Sequence, residues 1–298
     1  MLKYPVEKAL SSASVSWMTR HRLRGKRLIL AYHGVIPEGA EVAGERTLFI
    51  RQEDFRAQLD MLAEFTDVAP LEMIDEEGDG RPRIAITLDD AYRGAVREGV
   101  QELVARGLPA TIFVAPGRLN DHVFWWDAMA GKGDLDQRVR DYALHALSGN
   151  DEKVRRWAVS AGVQVSEAIP EYARAASLAE LKAAVRNPGI TVGSHTWSHA
   201  NLASLGITEI VTEVARSREW LHREFPGRVV DWLAYPYGLD SIAAHAALAH
   251  SSYAAGVRIS GGWHRSDRVS RYARPRLNVP AGWSVAGLKA RTLGAVPT

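Results

Sequence analysis

The 298 residues contain no cysteine, so neither disulfides nor a thiolate metal site can hold the fold, and the redox compartment is left open. Any metal must be held by nitrogen and oxygen ligands. No stretch is apolar for the length that a bilayer-spanning helix requires. The first residues, MLKYPVEKALSSASVSWMTRHRLRGKR, lack the uninterrupted apolar core of a signal peptide, so the expected location is the cytoplasm. Charge of one sign is scarce too: 37 Lys and Arg stand against 35 Asp and Glu, for a net +2. A dedicated nucleic-acid binder would need a clear cationic excess to neutralise phosphates, so no nucleic-acid partner is expected.

What is present is ordinary globular composition, 46% hydrophobic and 24% charged, in a chain long enough for one large α/β domain. The expected division is an N-terminal helix over 1–27 and a single domain over 28–298. The helix ends in a basic run, Arg20, Arg22, Arg24, Lys26 and Arg27, suited to peripheral contact with anionic headgroups on the inner face of a membrane. Its apolar residues Val6, Leu10, Val15, Trp17 and Met18 form only a ragged stripe, so a solvated helix packed on the domain is the alternative.

From residue 28 the pattern alternates strand and helix, the signature of a parallel sheet covered by crossover helices. RLILAY (27–32), a segment near 67–74, RIAITL (83–88), PATIFVAP (109–116), ITVGSH (190–195), DWLAYPYG (231–238) and a segment near 253–257 read as strands. Residues 51–65, 91–107, 207–225 and 241–250 read as helices, with Phe55, Leu59 and Leu62, and Ile207, Ile210, Val211, Val214, Leu221 and Phe225, facing inward. Residues from about 118 to 188 break the alternation with several helical patterns, one opened by the capping box SLAE (177–180), and read as a helical insertion. Between six and eight strands suits a barrel or an open doubly wound sheet.

In parallel α/β folds, chemistry gathers at the carboxyl ends of strands. His33, Asp89, Asp90, His195 and Tyr237 all fall at such ends. His195 and His199 are four residues apart, close enough to hold one cation, although histidines at a surface or in a core show such spacings too. Asp89 and Asp90 sharpen the choice, because two adjacent carboxylates in a partly buried site repel each other by several kcal/mol, roughly, unless a cation or proton intervenes. One aspartate with the two histidines would leave coordination positions open for water and substrate, and the other would be free to act as a base. The plainer alternative is that the pair caps the helix that follows.

ITLDDAY with its helix and PATIFV, then GSHTWSH, then LAYPYG, in that order across residues from about 28 to 280, resemble the polysaccharide deacetylase family, the NodB-homology or carbohydrate esterase family 4 proteins. The resemblance implies an α/β fold, a distorted (β/α) barrel with fewer than eight strands, and a metal-dependent hydrolase that removes the N-acetyl group from an amino sugar. It assigns Asp89 as catalytic base, Asp90, His195 and His199 as ligands of a divalent ion, most often zinc, and the backbone N–H of Tyr237 to the oxyanion.

The chain departs from the family pattern in three places. No Leu-x-x-His motif occurs in RLNVPAGWSVAGL, and His264 lies nearby in the wrong context. A branch of the family places a Tyr-His after the first strand, so His33 of LAYHGV is the candidate general acid, with a structural histidine at the strand end as the alternative. Ala234 stands where relatives often carry an arginine that pairs with the base. Arg276 could supply that charge, or lie at the surface or at a sheet edge. Ala91 stands where a glycine commonly follows the aspartates. Phe124 to Asp127, FWWD, offers either an aromatic surface for a sugar ring or ordinary packing. Substrates in view are free, nucleotide-linked or lipid-linked amino sugars and short glycans. A non-sugar amidase and a non-catalytic glycan-binding relative are the competing functions.

Overall fold

The computed structural model describes residues 25–131 and 133–296 together with Leu23. The expected N-terminal helix lies largely outside them; Arg27 opens the first strand, as RLILAY reads, with its guanidinium donating to the carbonyls of Lys26, Asp75 and Glu76.

The strands are β1 (Arg27–Tyr32), β2 (Gly34–Ile36), β3 (Phe49–Arg51), β4 (Asp67–Val68), β5 (Arg83–Leu88), β6 (Ala110–Val114), β7 (Ile190–Ser194), β8 (Val229–Ala234), β9 (Ala255–Ile259) and β10 (Arg274–Asn278). β1 pairs with β10 on one side and, over its full length from Arg27↔Arg83 to Tyr32↔Leu88, with β5 on the other. The order β1-β10-β9-β8-β7-β6-β5 therefore closes on itself as a seven-stranded parallel barrel, with β4 appended to β5. β2 and β3 form a separate parallel pair.

Strands in such a barrel are buried on both faces, which is why they read as continuous apolar runs. Alternate residues then serve different layers. Leu28, Leu30, Ile84 and Ile86 join the large cluster that includes the covering helices, whereas Ile29, Ala85, Phe113, Trp232, Ala234 and Val257 form a second cluster inside the barrel. Leu71 and Ile74 belong to that inner cluster, so the stretch expected as a strand over 67–74 pairs only at Asp67–Val68 and then turns. Pro70, at φ −52, lacks the N–H that a ladder needs, and a 3-10 turn over Leu71–Met73 follows it.

The covering helices are α1 (Gln52–Phe65), α2 (Val100–Ala105), α3 (Trp125–Ala130), α4 (Gln137–His145), α5 (Asp151–Ser160), α6 (Leu178–Val185), α7 (Ile207–Glu224), α8 (Ile242–His250) and α9 (Val285–Thr292). α1 buries Phe55, Leu59 and Leu62. α7 buries Ile210, Val214 and Leu221, but Ile207, expected inward, is 51% exposed, because it is the first residue of the helix. The helix after β5 opens with a π-helical turn, Ala95–Gly99, before α2. Helices α3 to α6 lie between β6 and β7, and Ser177 and Glu180 cap α6 reciprocally.

Candidate active site

The carboxyl ends of the barrel strands surround a cavity of about 160 Å³ whose lining includes His33, Asp89, Asp90, His195, His199 and Tyr237. Residues up to two hundred positions apart in sequence meet there because each follows, or closes, a parallel strand.

Asp90, His195 and His199 converge, with one ligand atom from each lying within 4.8 Å of the others. Asp90 Oδ1 is 3.0 Å from His199 Nε2 and 3.5 Å from His195 Nε2, is buried, and has no hydrogen-bond partner among the described residues. His195 Nδ1 lies 2.7 Å from the Ala234 carbonyl oxygen, which only an Nδ1–H can satisfy, so its Nε2 turns a lone pair toward Asp90. Burial pushes both imidazoles down, His195 to about 4 and His199 to about 3, so both are neutral at pH 7. A buried carboxylate oxygen without a hydrogen-bond partner, with an imidazole nitrogen of each histidine close by, is an unfavourable arrangement by itself and a fitting one around a divalent cation.

The loop that carries the histidines is fixed from outside the cavity. Glu213 of α7 accepts the backbone N–H groups of Trp197 and Ser198 and the Ser198 hydroxyl, and Arg216 lies over the Trp197 ring. These contacts hold a turn in which Thr196 and His199 both have positive φ.

Asp89 faces a different partner. Both its oxygens accept from Arg276, at 2.7 Å each, and Arg276 Nη1 also donates to Thr87 Oγ1 at 3.0 Å. Burial alone would push this carboxyl up, but the adjacent guanidinium outweighs it and holds Asp89 well below the usual carboxylate range. Asp90, without such a partner, is pushed up by burial. Neither carboxylate accepts a bond from the helix that follows, whose first turns have no side-chain cap. Arg276 reaches across from β10 to the charge beside which Ala234 of β8 offers only a methyl group.

His33 Nε2 lies 4.0 Å from Asp89 Oδ2, with its side chain 14% exposed. Burial lowers its pKa, and Asp89 and Asp90 oppose that shift. His264 sits at the other end of the barrel, where its backbone bridges Arg27 at the start of β1. Tyr237 adopts φ 60 in the turn after β8. Its hydroxyl donates to the Gly149 carbonyl at 3.1 Å and accepts from Trp125 Nε1 at 3.1 Å, and its ring packs edge-on to His199. Tyr237 thus lines the cavity with its hydroxyl held by Gly149 and Trp125.

The FWWD stretch divides between packing and the cavity wall. Phe124 is buried and stacks on Trp126. Asp127 is buried, accepting from the Glu45 N–H and the Tyr92 hydroxyl, and burial pushes it up to about 7. Trp125 and Trp126 line the cavity, Trp126 also leaning on His199. Arg140 of α4, Leu48 and Asn278 complete parts of the wall that sequence reasoning missed. Asn278 lies two residues beyond Arg276 on one face of a strand that the sequence did not mark. Arg140 and Leu48, in the insertion and a loop, had no signal either.

The family model described as polysaccharide deacetylase matches residues 76–255. No protein with a curated description matches the chain. Among solved structures, the chain is similar to a Streptococcus pyogenes deacetylase, PplD, in complex with acetate, at 17% identity and TM-score 0.61 over 88% of this chain and 96% of that one. It is similar to a Bacillus cereus polysaccharide deacetylase, BC0361, at 16% identity and TM-score 0.63 over 89% and 69%. IcaB from Ammonifex degensii matches at 16% identity and TM-score 0.61 over 90% and 97%. At these identities the likeness carries the fold, a barrel that closes as this one does, while the match over 76–255 takes in both aspartates, both histidines and the Tyr237 turn. The chain thus belongs to the polysaccharide deacetylase family, hydrolases that take the N-acetyl group from amino sugars.

Proposed function

We propose that this deacetylase works with a divalent ion, zinc by its donor set, held by Asp90, His195 and His199. Two imidazoles and one carboxylate suit zinc and leave positions free for water and an acetamide oxygen. The observation that carries the reading is the unpartnered buried Asp90 Oδ1 facing two imidazole nitrogens. When bound, such an ion supplies Lewis acidity and makes a nearby water more acidic.

The chain's own residues account for the proton movements. Asp89 is ionised at neutral pH and fixed in orientation by both arms of Arg276, so it accepts the proton of the attacking water. The Tyr237 backbone N–H, held by a tethered side chain, is the donor toward the developing oxyanion. His33, on the same side as Asp89, gives a proton to the departing amine; the negative charges of Asp89 and Asp90 favour the imidazolium that this role requires, against the burial that lowers its pKa.

Acetate release and bound metal, measured together for wild type, Asp89→Asn and His33→Ala, test these roles. Both variants should keep the metal and lose at least 100-fold in kcat, on the order that a positioned acid or base contributes. Unchanged acetate release in Asp89→Asn would refute the base; full activity in His33→Ala would refute only the acid. The cytoplasmic location, contact of the basic run with anionic lipid and absence of a nucleic-acid partner belong to the proposal as well. Sedimentation with phosphatidylglycerol vesicles tests the lipid contact.

A further inference from the structure

Three side-chain atoms in the cavity wall are buried without a hydrogen-bond partner among the described residues: Asp90 Oδ1, His199 Nδ1 and Asn278 Oδ1. The first two belong to the Asp90 and histidine cluster. Asn278 does not, and nothing said so far of the metal or the proton transfers uses it.

Its position follows from the strand. Side chains two apart in β10 share a face, and Arg276 points into the barrel, where it meets Thr87, Asp89 and the Phe113 ring. Asn278 stands one step nearer the mouth on that face. It is level with Ala31 of β1, two residues before His33. The carboxamide thus stands over the Asp89–Arg276 pair, beside the strand that delivers His33.

A buried amide oxygen left unpaired costs about 1–3 kcal/mol, and folded proteins keep few such groups without a reason. A leucine of similar size would avoid that cost in a wall that also holds Tyr235, Ile259 and Leu48. We propose that Asn278 is a substrate-binding residue: its carboxamide oxygen accepts a hydrogen bond from the amino sugar, either from a ring hydroxyl or from the acetamide N–H, and so fixes the sugar over Asp89. This rests on the amino-sugar reading of the cavity but not on the roles given to Asp89 and His33.

The test uses Asn278→Leu and Asn278→Ala of the full chain. Binding of N-acetylglucosamine is followed by ligand-observed NMR, and acetate release from N-acetylglucosamine oligosaccharides gives kcat and KM. Asn278→Leu should bind the sugar at least 5-fold more weakly and raise KM to match, with metal content unchanged and thermal stability equal to or above that of wild type. A structural role predicts the reverse, a lower melting temperature at unchanged affinity. Analogues of the sugar lacking one hydroxyl, or carrying an N-methyl acetamide, identify the donor, since the right one is bound equally by wild type and Asn278→Leu. Equal affinity of wild type and both variants for N-acetylglucosamine, or no binding by any of them, overturns the proposal. Loss of acetate release with this pattern of binding intact would overturn the catalytic reading instead.

Discussion

Replacing Arg276 by methionine isolates the charge pair inside the barrel. The side chains of Arg276 and Asp89 are 0% and 4% exposed, and the guanidinium makes two bonds to the carboxylate and one to Thr87. Removing one member of such a pair strands a buried charge, which costs about 3–5 kcal/mol. For a chain of this size each kcal/mol lowers Tm by roughly 2 °C, so Arg276→Met should melt about 6–10 °C lower. Replacing both residues, Arg276→Met with Asp89→Asn, should cost less than the sum of the single changes, because the stranded charge is gone.

The pH dependence carries the same sign. Asp89 is held below its unfolded value of about 4, so its pairing stabilises the fold above that pH and is lost as pH falls through the folded value. In Arg276→Met burial loses its main opponent, with only His195 and His33 still acting against it, and the carboxyl protonates at higher pH. The acid limb of kcat/KM for acetate release should therefore move to higher pH, in step with the acid limb of stability. Calorimetric melting and pH–rate profiles of the four proteins in this cycle decide the matter. A Tm within 2 °C of wild type together with an unmoved acid limb would refute the view that Arg276 sets the charge of Asp89.

Zinc at about 1,000 times its Kd should stabilise wild type by about 4 kcal/mol, roughly 8 °C, and His199→Ala or Asp90→Asn should abolish both the shift and the binding seen by equilibrium dialysis. Metal-free protein should lose stability as pH falls from about 6.5, the unfolded imidazole value, toward 4, because His195 and His199 are held neutral at about 4 and about 3 in the fold. Urea titrations in which wild type and His195→Phe lost the same unfolding free energy between about pH 7.5 and 4.5 would contradict this. Tyr237→Phe removes the tether to Gly149 and Trp125 while leaving the backbone N–H, and should cost about 1 kcal/mol in stability and several-fold in kcat at unchanged metal content. Gly149→Ala, whose Cβ would lie 2.5 Å from the Tyr237 ring at φ +62, should cost at least as much in both.

The barrel was legible because parallel strands buried on both faces are apolar without interruption, as in RLILAY, RIAITL and ATIFV. β10 escaped for the converse reason. Its inward row is Arg274, Arg276 and Asn278, and Pro275 lies between them, so neither apolar periodicity nor propensity marks it. That strand also supplies the partner of Asp89, and a polar strand inside a barrel becomes readable only once the charge it faces is known. Arg27 is at once the last of a basic run and the first residue of the apolar strand read as RLILAY.

The adjacency of Asp89 and Asp90 has a physical explanation that the sequence only hinted at. Asp89 continues the inward row of β5, after Ala85 and Thr87, which is why one guanidinium bonds both Thr87 and Asp89. A regular strand would send Asp90 outward, into the layer of Leu88 and Ile86. Instead the chain turns at φ 68, and Ala91 follows at φ 51, bringing the second carboxylate round to the imidazoles. Aspartate tolerates that conformation; alanine bears a strain of about 1–2 kcal/mol that the glycine common at this position would not. The strain falls on the residue that touches no partner in the cavity. The two carboxylates are thereby aimed differently, Asp89 at a fixed guanidinium inside the barrel and Asp90 at the two imidazoles, the cluster proposed to hold a cation. That division gives Asp89 a counter-charge of its own, and a cation bound as proposed would supply one to Asp90.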